Sequence, residues 1–265
     1  MLKNITIGQY FPGETTIHKL DPRVKISATF IFIISLFFIN SFIPYIFVLG
    51  YILSSIKLSN VPVKYVLKGL KPLMFIIGIT FLINVFMTKG EIIHEIGPLT
   101  ITKEGLIQAT FMALRLIFLI IGTSLLTLTT SPISLTDGIE RLLKPLKVIG
   151  VPAHELAMMM TIALRFIPTL LEETDKIMKA QMARGADFES GNIMNRAKSL
   201  VPLLVPLFVS AFRRADELAM AMEARCYRGG ENRTRMKQLK YERRDLFAMS
   251  ITLLLLAIII LYRFI

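Results

Sequence analysis

Five stretches of this chain carry no acidic residue and, with one exception, no basic one: residues 26–40, 42–56, 73–88, 106–130 and 246–262. A helix that crosses a bilayer needs ~20 mostly apolar residues, and runs of this kind have no place in an ordinary soluble core. A hydrophobic fraction of 54% and a mean hydropathy of +0.60 agree. The expected fold class is therefore an all-α integral membrane protein. It has about five transmembrane helices and a helical insert before the last of them. The exception is Arg115, inside the fourth run. Such a charge is costly and is paired, functional or bound to backbone carbonyls near the bundle interior.

The net charge of +12 does not point to nucleic acid. The basic residues collect beside the apolar runs, which is what the positive-inside rule produces unaided. Lys3, Lys19, Arg23 and Lys25 precede the first run, and Lys57, Lys64, Lys68 and Lys71 lie between the second and third. Both segments are expected in the cytoplasm. The segment 89–105 has Lys89 and Lys103 against Glu91, Glu95 and Glu104, and is expected outside. The domain reading is a cytoplasmic arm at 1–25, four transmembrane helices in 26–130, a cytoplasmic domain at 131–244, and a last span in 245–265 ending outside. A cleavable signal peptide is not expected, because the first apolar run begins at Ile26. Cys226 is the single cysteine, so no intrachain disulfide or cysteine-based metal cluster is expected. His18, His94 and His154 are too scattered to form a ligand set. Glu172, Glu173 and Asp175 have no matching cluster facing the membrane, so a metal site is not expected there.

Within the insert, residues 157–171 and 199–212 are apolar runs too short to span comfortably, interrupted by Arg165, Pro168, Pro202 and Pro206. Buried or interfacial helices beneath the membrane fit them better. Cysteine labelling at Ser190 from either side of the bilayer separates that reading from two further spans.

The insert also repeats itself. Asp175-x4-Ala180-x2-Ala183-Arg184-Gly185 returns as Asp216-x4-Ala221-x2-Ala224-Arg225-Cys226, each position displaced by 41 (225 − 184). Helix capping explains part of it, since cations favour helix C-termini and Gly185 suits a left-handed C′ position. Yet Arg184 has Ala180 and Gln181 at i−4 and i−3, and Arg225 has Ala221 and Met222, so neither has a carboxylate one turn back. Two guanidinium groups flanked by small alanines are left for an outside acceptor, and arginine suits bidentate recognition of carboxylates. Glu172 with Lys176 and Arg213 with Glu217 are expected as i, i+4 surface pairs. The Met-rich runs around Met158–Met160, Met178, Met182, Met220 and Met222 fit core filling or an adaptable interface. A self-powered carrier normally keeps acids inside its spans, and none stands there. No Gly-x4-Gly-Lys-Ser/Thr phosphate loop is present. An integral membrane enzyme acting on lipids, or a self-sufficient carrier, are the alternative readings. Activity of the isolated chain, or transport by this chain alone, would support them.

Four segments carry a resemblance. "TIHKLDPRVK" (16–25), "TTSP" (129–132), "ELAMMMTIALRFIP" (155–168) and "AQMARG" (180–185) are similar to the transmembrane coupling component, or T component, of energy-coupling factor transporters. The resemblance implies a non-catalytic subunit in the cell membrane, with no cofactor of its own. It would join two ABC-type ATPase subunits, which bind ATP and Mg, to a small membrane subunit that captures a vitamin or metal ion. It also implies that two long helices each end in an Ala-Arg-Gly-like motif whose arginine docks in a groove on one ATPase. Ala183-Arg184-Gly185 matches that motif fully. In Ala224-Arg225-Cys226 the arginine is kept and cysteine stands for glycine, which leaves the geometry of the second helix end open.

Overall fold

Asp21 and Pro22 start the first helix for a reason visible in the letters. The Asp21 carboxylate accepts the backbone N–H of Arg23 at 2.9 Å, and Pro22 occupies the first turn, where a missing N–H costs nothing. The computed structural model describes residues 10–96, 99–186, 188, 193–230 and 238–264. Helix α1 (Pro22–Phe37) is followed by α2 (Ile43–Ser59) and α3 (Val63–Leu70). A 3₁₀ turn at Lys71–Leu73 then leads into α4 (Met74–Met87). A hairpin, β1 (Ile92–Ile96) against β2 (Leu99–Thr102), leads into α5 (Lys103–Thr129). Helices α6 (Pro132–Leu143), α7 (Ala153–Ala183), α8 (Ile193–Ala224) and α9 (Arg243–Phe264) complete the described chain.

These elements divide into two compact units. One is built on residues 10–142 and 238–264, the other on residues 143–230. The first has its core where α1, α2, α5 and α9 meet, at Phe32, Leu36, Val48, Ile52, Phe118 and Ile259. Tyr51 on α2 shares a 3.1 Å hydrogen bond with Thr252 on α9. Large apolar side chains also point outward, among them Ile46 at 68% and Phe75 at 75% exposure. A soluble surface does not carry them at that density; a lipid-facing one does. The stretches Val63–Met87, Lys103–Thr129, Ala153–Ala183 and Arg243–Phe264 are each long and apolar enough to cross a membrane, and α2 is a shorter apolar helix. Ala153–Ala183 has a mean hydropathy of 1.2 against 2.0–2.4 for the other three.

A polar joint ties one end of the first unit together. Asp21 takes the Arg23 guanidinium at 3.0 and 2.7 Å, and the backbone N–H of Asp21 donates to Asp245 at 2.8 Å. Asp245, at the start of α9, also accepts the N–H of Glu242 at 2.8 Å. Buried Lys25 donates to the carbonyls of Thr129 at 2.8 Å and His18 at 3.1 Å. The "DPRVK" and "TTSP" segments are thus the pieces that fasten α1, α5 and α9 at one level.

The structure departs from sequence expectation at three places. Within residues 89–105, read from the sequence only as an outside connection, Ile92–Ile96 pairs antiparallel with Leu99–Thr102. Pro72 lies inside a 3₁₀ turn that continues from α3, so the third apolar run joins a longer helical stretch. Pro168, Pro202 and Pro206 do not break the insert into short runs; they lie inside continuous helices of 31 and 32 residues. Ser190, Gly191, Asn192 and Asn232 lie outside the described residues.

His18 sets a pH dependence. Its Nε2 lies 3.0 Å from the Phe11 carbonyl, to which it donates, and its Nδ1 lies 2.7 Å from the Thr15 hydroxyl, which can donate to it when the ring is neutral. Burial lowers its pKa below the ordinary 6.5, the Phe11 carbonyl pulls partly back up, and Lys25 lowers it further. Below pH ~6.5 the unfolded chain takes up a proton that the folded one refuses. The His18 contribution to thermal stability in detergent should be flat above that pH and fall as pH drops through the window below it. The His18→Gln variant should show a shallower fall.

Candidate partner-docking site

A helix leaves its last four carbonyls without partners, and α7 and α8 solve this in the same way. At the end of α7, Gly185 N–H donates to Met182 O and Ala186 N–H to Gln181 O, both at 3.0 Å. At the end of α8, Cys226 N–H donates to Glu223 O at 2.8 Å and Tyr227 N–H to Met222 O at 3.0 Å. Each is a Schellman motif with its C′ residue in the left-handed region, φ 91° at Gly185 and φ 55° at Cys226. Cys226 therefore adopts the glycine-like turn. Its Cβ makes that turn cost about 1–2 kcal/mol more than glycine would.

This turn puts Arg184 and Arg225 at the C-cap, where the chain leaves the helix and the side chain projects past the last turn. Both are exposed. Among the described residues no carboxylate forms an ion pair with either. Ala183 and Ala224, just before them, are exposed as well, so nothing bulky shields either guanidinium from an approaching surface.

Contacts between α7 and α8 show that the pair runs antiparallel. The Gln181 amide reaches the Pro202 carbonyl at 3.5 Å, Glu173 pairs with Arg214 at 3.1 Å, and the Tyr227 hydroxyl reaches Met158 Sδ at 2.9 Å. Glu173 and Arg214 are separated by the repeat offset (214 − 173 = 41). In an antiparallel pair of repeats, only residues at the local two-fold axis face their own equivalents, so this ion pair marks the axis. Arg184 and Arg225 each lie eleven residues beyond it (184 − 173 and 225 − 214). At 1.5 Å per residue the two are about 33 Å apart along the helices, at opposite ends.

The prolines fit the same pairing. Pro206 has no N–H for the carbonyl of residue 202, and the amide of Gln181 from α7 is the group that reaches it. Between the ion pair and the end of α8 the two helices line a cavity of ≈ 400 Å³, formed by Ile162, Phe166, Leu170, Leu218 and Met222 with alanines 163, 211, 215 and 219. Arg115 lies elsewhere, in the first unit. Its guanidinium donates to the carbonyl of Ile39 at 3.2 Å, one of the roles expected for a charge inside a span.

The expected surface pairs are replaced. Among the described residues no ion pair joins Glu172 to Lys176 or Arg213 to Glu217. Lys179 pairs instead with Asp175 at 2.7 Å, and Arg214 with Glu173. Sequence reading missed the roles of Glu173, Arg214, Gln181 and Tyr227. The offset of 41 was the available signal for the first two, once the repeats were taken to pack antiparallel.

Residues 13–236 match the sequence profile of CbiQ, the cobalt transport protein family. Full-length relatives carry the name energy-coupling factor transporter transmembrane protein EcfT. The one from Thermosediminibacter oceani is 66% identical over 100% of both chains. That from Clostridium kluyveri is 64% identical over 99% of this chain and 98% of its own, and that from Bacillus subtilis 49% identical over 99% of each. The chain belongs to the EcfT/CbiQ family. It is accordingly a transmembrane component of an energy-coupling factor transporter.

The two ends differ in one testable way. Cys226→Gly should raise the thermal midpoint by removing about 1–2 kcal/mol of backbone cost, while Gly185→Ala should lower it by a similar amount. A hypothetical Cβ at Gly185 meets no atom within 4 Å, so that loss is purely conformational. Differential scanning fluorimetry of the purified variants reads both changes.

Proposed function

We propose that this chain is the coupling subunit of an importer driven by two cytoplasmic ATPase subunits, and that Arg184 and Arg225 each dock on one of them. Residues 131–244 then form the coupling domain beneath the membrane, on the same side as the N-terminal arm, with the C-terminus opposite. The observation that carries the reading is the duplicated helix end: two exposed arginines without local acids, held at matched distances from one ion pair and facing opposite ways. A single ATPase does not need two such contacts about 33 Å apart; a closing pair of ATPases does.

ATP and Mg belong to the partners in this reading, and the chain itself performs no chemistry. Closure of the ATPases displaces the ends of α7 and α8 relative to each other about the Glu173–Arg214 axis. The alanine-lined gap beside that axis gives the helices room to pivot, since small residues permit sliding at close range. The apolar surface of α8, where Val205, Phe208 and Phe212 are exposed at 56%, 60% and 68%, is the face on which a small membrane-embedded substrate subunit is tilted to release a vitamin or metal ion inward. The lysine and arginine distribution supports the orientation. The lower mean hydropathy of α7 supports its place at the interface rather than across the bilayer.

Charge reversal tests the docking. Arg184→Glu or Arg225→Glu alone should weaken ATPase association by about 2–5 kcal/mol, and the double variant should lose the ATPases on co-purification. Its thermal midpoint should stay within a few degrees of the unaltered chain. An ATPase complex that survives both reversals overturns the proposal.

A further inference from the structure

The two helix ends of the second unit make the same turn at unequal cost. Gly185 enters the left-handed region at φ 91° with no Cβ to clash, whereas Cys226 enters it at φ 55° with one. Backbone bonds cap both ends alike, Ala186 N–H on Gln181 O and Tyr227 N–H on Met222 O, each at 3.0 Å. Beyond that bond the ends diverge. The repeat places Ala186 and Tyr227 at equivalent positions (227 − 186 = 41), so the α7 end carries a methyl group where the α8 end carries a phenol.

That phenol reaches back across the helix pair. Its hydroxyl donates to Met158 Sδ at 2.9 Å and lies 3.4 Å from His154 Nε2. His154 and Met158 are i, i+4 neighbours near the start of α7, so they share one face of it, and antiparallel packing brings that face beside the end of α8. A second contact follows along the same stretch. A Cβ added at Gly230 would overlap the His154 ring, so the backbone there passes directly against the imidazole. Tyr227 and Gly230 are half-buried, while Arg225, Cys226 and Arg228 are exposed. The chain leaving α8 is therefore pinned to α7 on either side of Arg228, and the first pin is the next residue but one after Arg225.

We propose that Tyr227 is a positioning residue for partner docking: by fastening the chain to His154 and Met158 it holds the Cys226 turn closed, and so keeps Arg225 at the C-cap, projecting past the helix. This role rests on the docking proposed above for Arg225. The Cys226 turn is the weaker of the two, because a residue with a Cβ gains by leaving the left-handed region and loosening the last turn with it. Loosening carries the Arg225 guanidinium away from its place. Tyr227 opposes this, since chain that leaves the turn must first break from α7. Gly185 needs no such device, and Ala186 has no side-chain group to supply one. The Tyr227 hydroxyl is already spent on α7, which separates this role from direct contact with a partner.

The test titrates the two ATPase subunits onto the full chain in detergent and reads Kd for each variant. Tyr227→Phe keeps the ring, removes the hydroxyl and should raise Kd about three- to tenfold, the worth of one hydrogen bond. Cys226→Gly should rescue it, bringing the Tyr227→Phe, Cys226→Gly pair to within about twofold of the unaltered chain, because glycine holds the turn without help. A tyrosine that touched an ATPase directly would not be rescued in this way. In an Arg225→Ala background Tyr227→Phe should cost less than about twofold, and in an Arg184→Ala background its full effect. Met158→Leu removes the acceptor from the α7 side, and the same readings from it decide the matter if Tyr227→Phe does not fold. A loss that Cys226→Gly does not restore, or an unchanged Kd in Tyr227→Phe while Arg225→Ala weakens binding, would overturn this role and leave the docking of Arg225 standing. Binding unchanged by Arg225→Ala would overturn the docking itself, and this role with it.

Discussion

Backbone groups at helix ends are the constraint on which the rest of this structure depends. In an apolar bundle, a carbonyl or amide without a partner costs several kcal/mol, and every helix offers four of each. The protein answers with charged side chains at the ends of its spans. Asp21 and Asp245 take amides where α1 and α9 begin, Lys25 takes the Thr129 carbonyl where α5 ends, and Arg115 takes the Ile39 carbonyl beyond the end of α1. Charges that look functional in a hydropathy scan are here the terminators of helices.

The second unit answers the same constraint differently, and the function proposed for it rests on the difference. α7 and α8 close their own ends through backbone turns, so no side chain is consumed in doing so. Arg184 and Arg225 are left with their donors unspent. Because the helices pack antiparallel around Glu173 and Arg214, duplication of one helix end yields two contacts facing opposite ways. A pair of contacts in that arrangement suits a partner that is itself a pair.

Much of this was legible in the sequence, for identifiable reasons. The apolar runs located α1, α2, α4, α5 and α9, because uncharged length is a direct reading of lipid contact. The Ala-Arg repeat located both helix ends, because the terminal turn is a local motif. Three things were not legible. Prolines 168, 202 and 206 read as breaks, but a proline is tolerated where packing holds the helix together, and the Gln181 amide meets the carbonyl that Pro206 leaves bare. Cys226 left its helix end open, because cysteine disfavours the left-handed conformation that the chain nevertheless adopts. The Glu173–Arg214 pair depends on how two helices cross, which no single-helix pattern encodes.

The claim at the centre of this account is that each arginine-tipped end touches an ATPase. Met182 and Glu223 are exposed, occupy equivalent places in the repeat (223 − 182 = 41), and lie one turn or less from their arginines. A photo-crosslinking amino acid placed singly at each, in the assembled complex in membranes, tests the claim most directly. The account predicts ATPase adducts from both positions and none from lipid-facing Ile46. An intact complex that gives an ATPase adduct from only one of the two positions, or from neither, would contradict it.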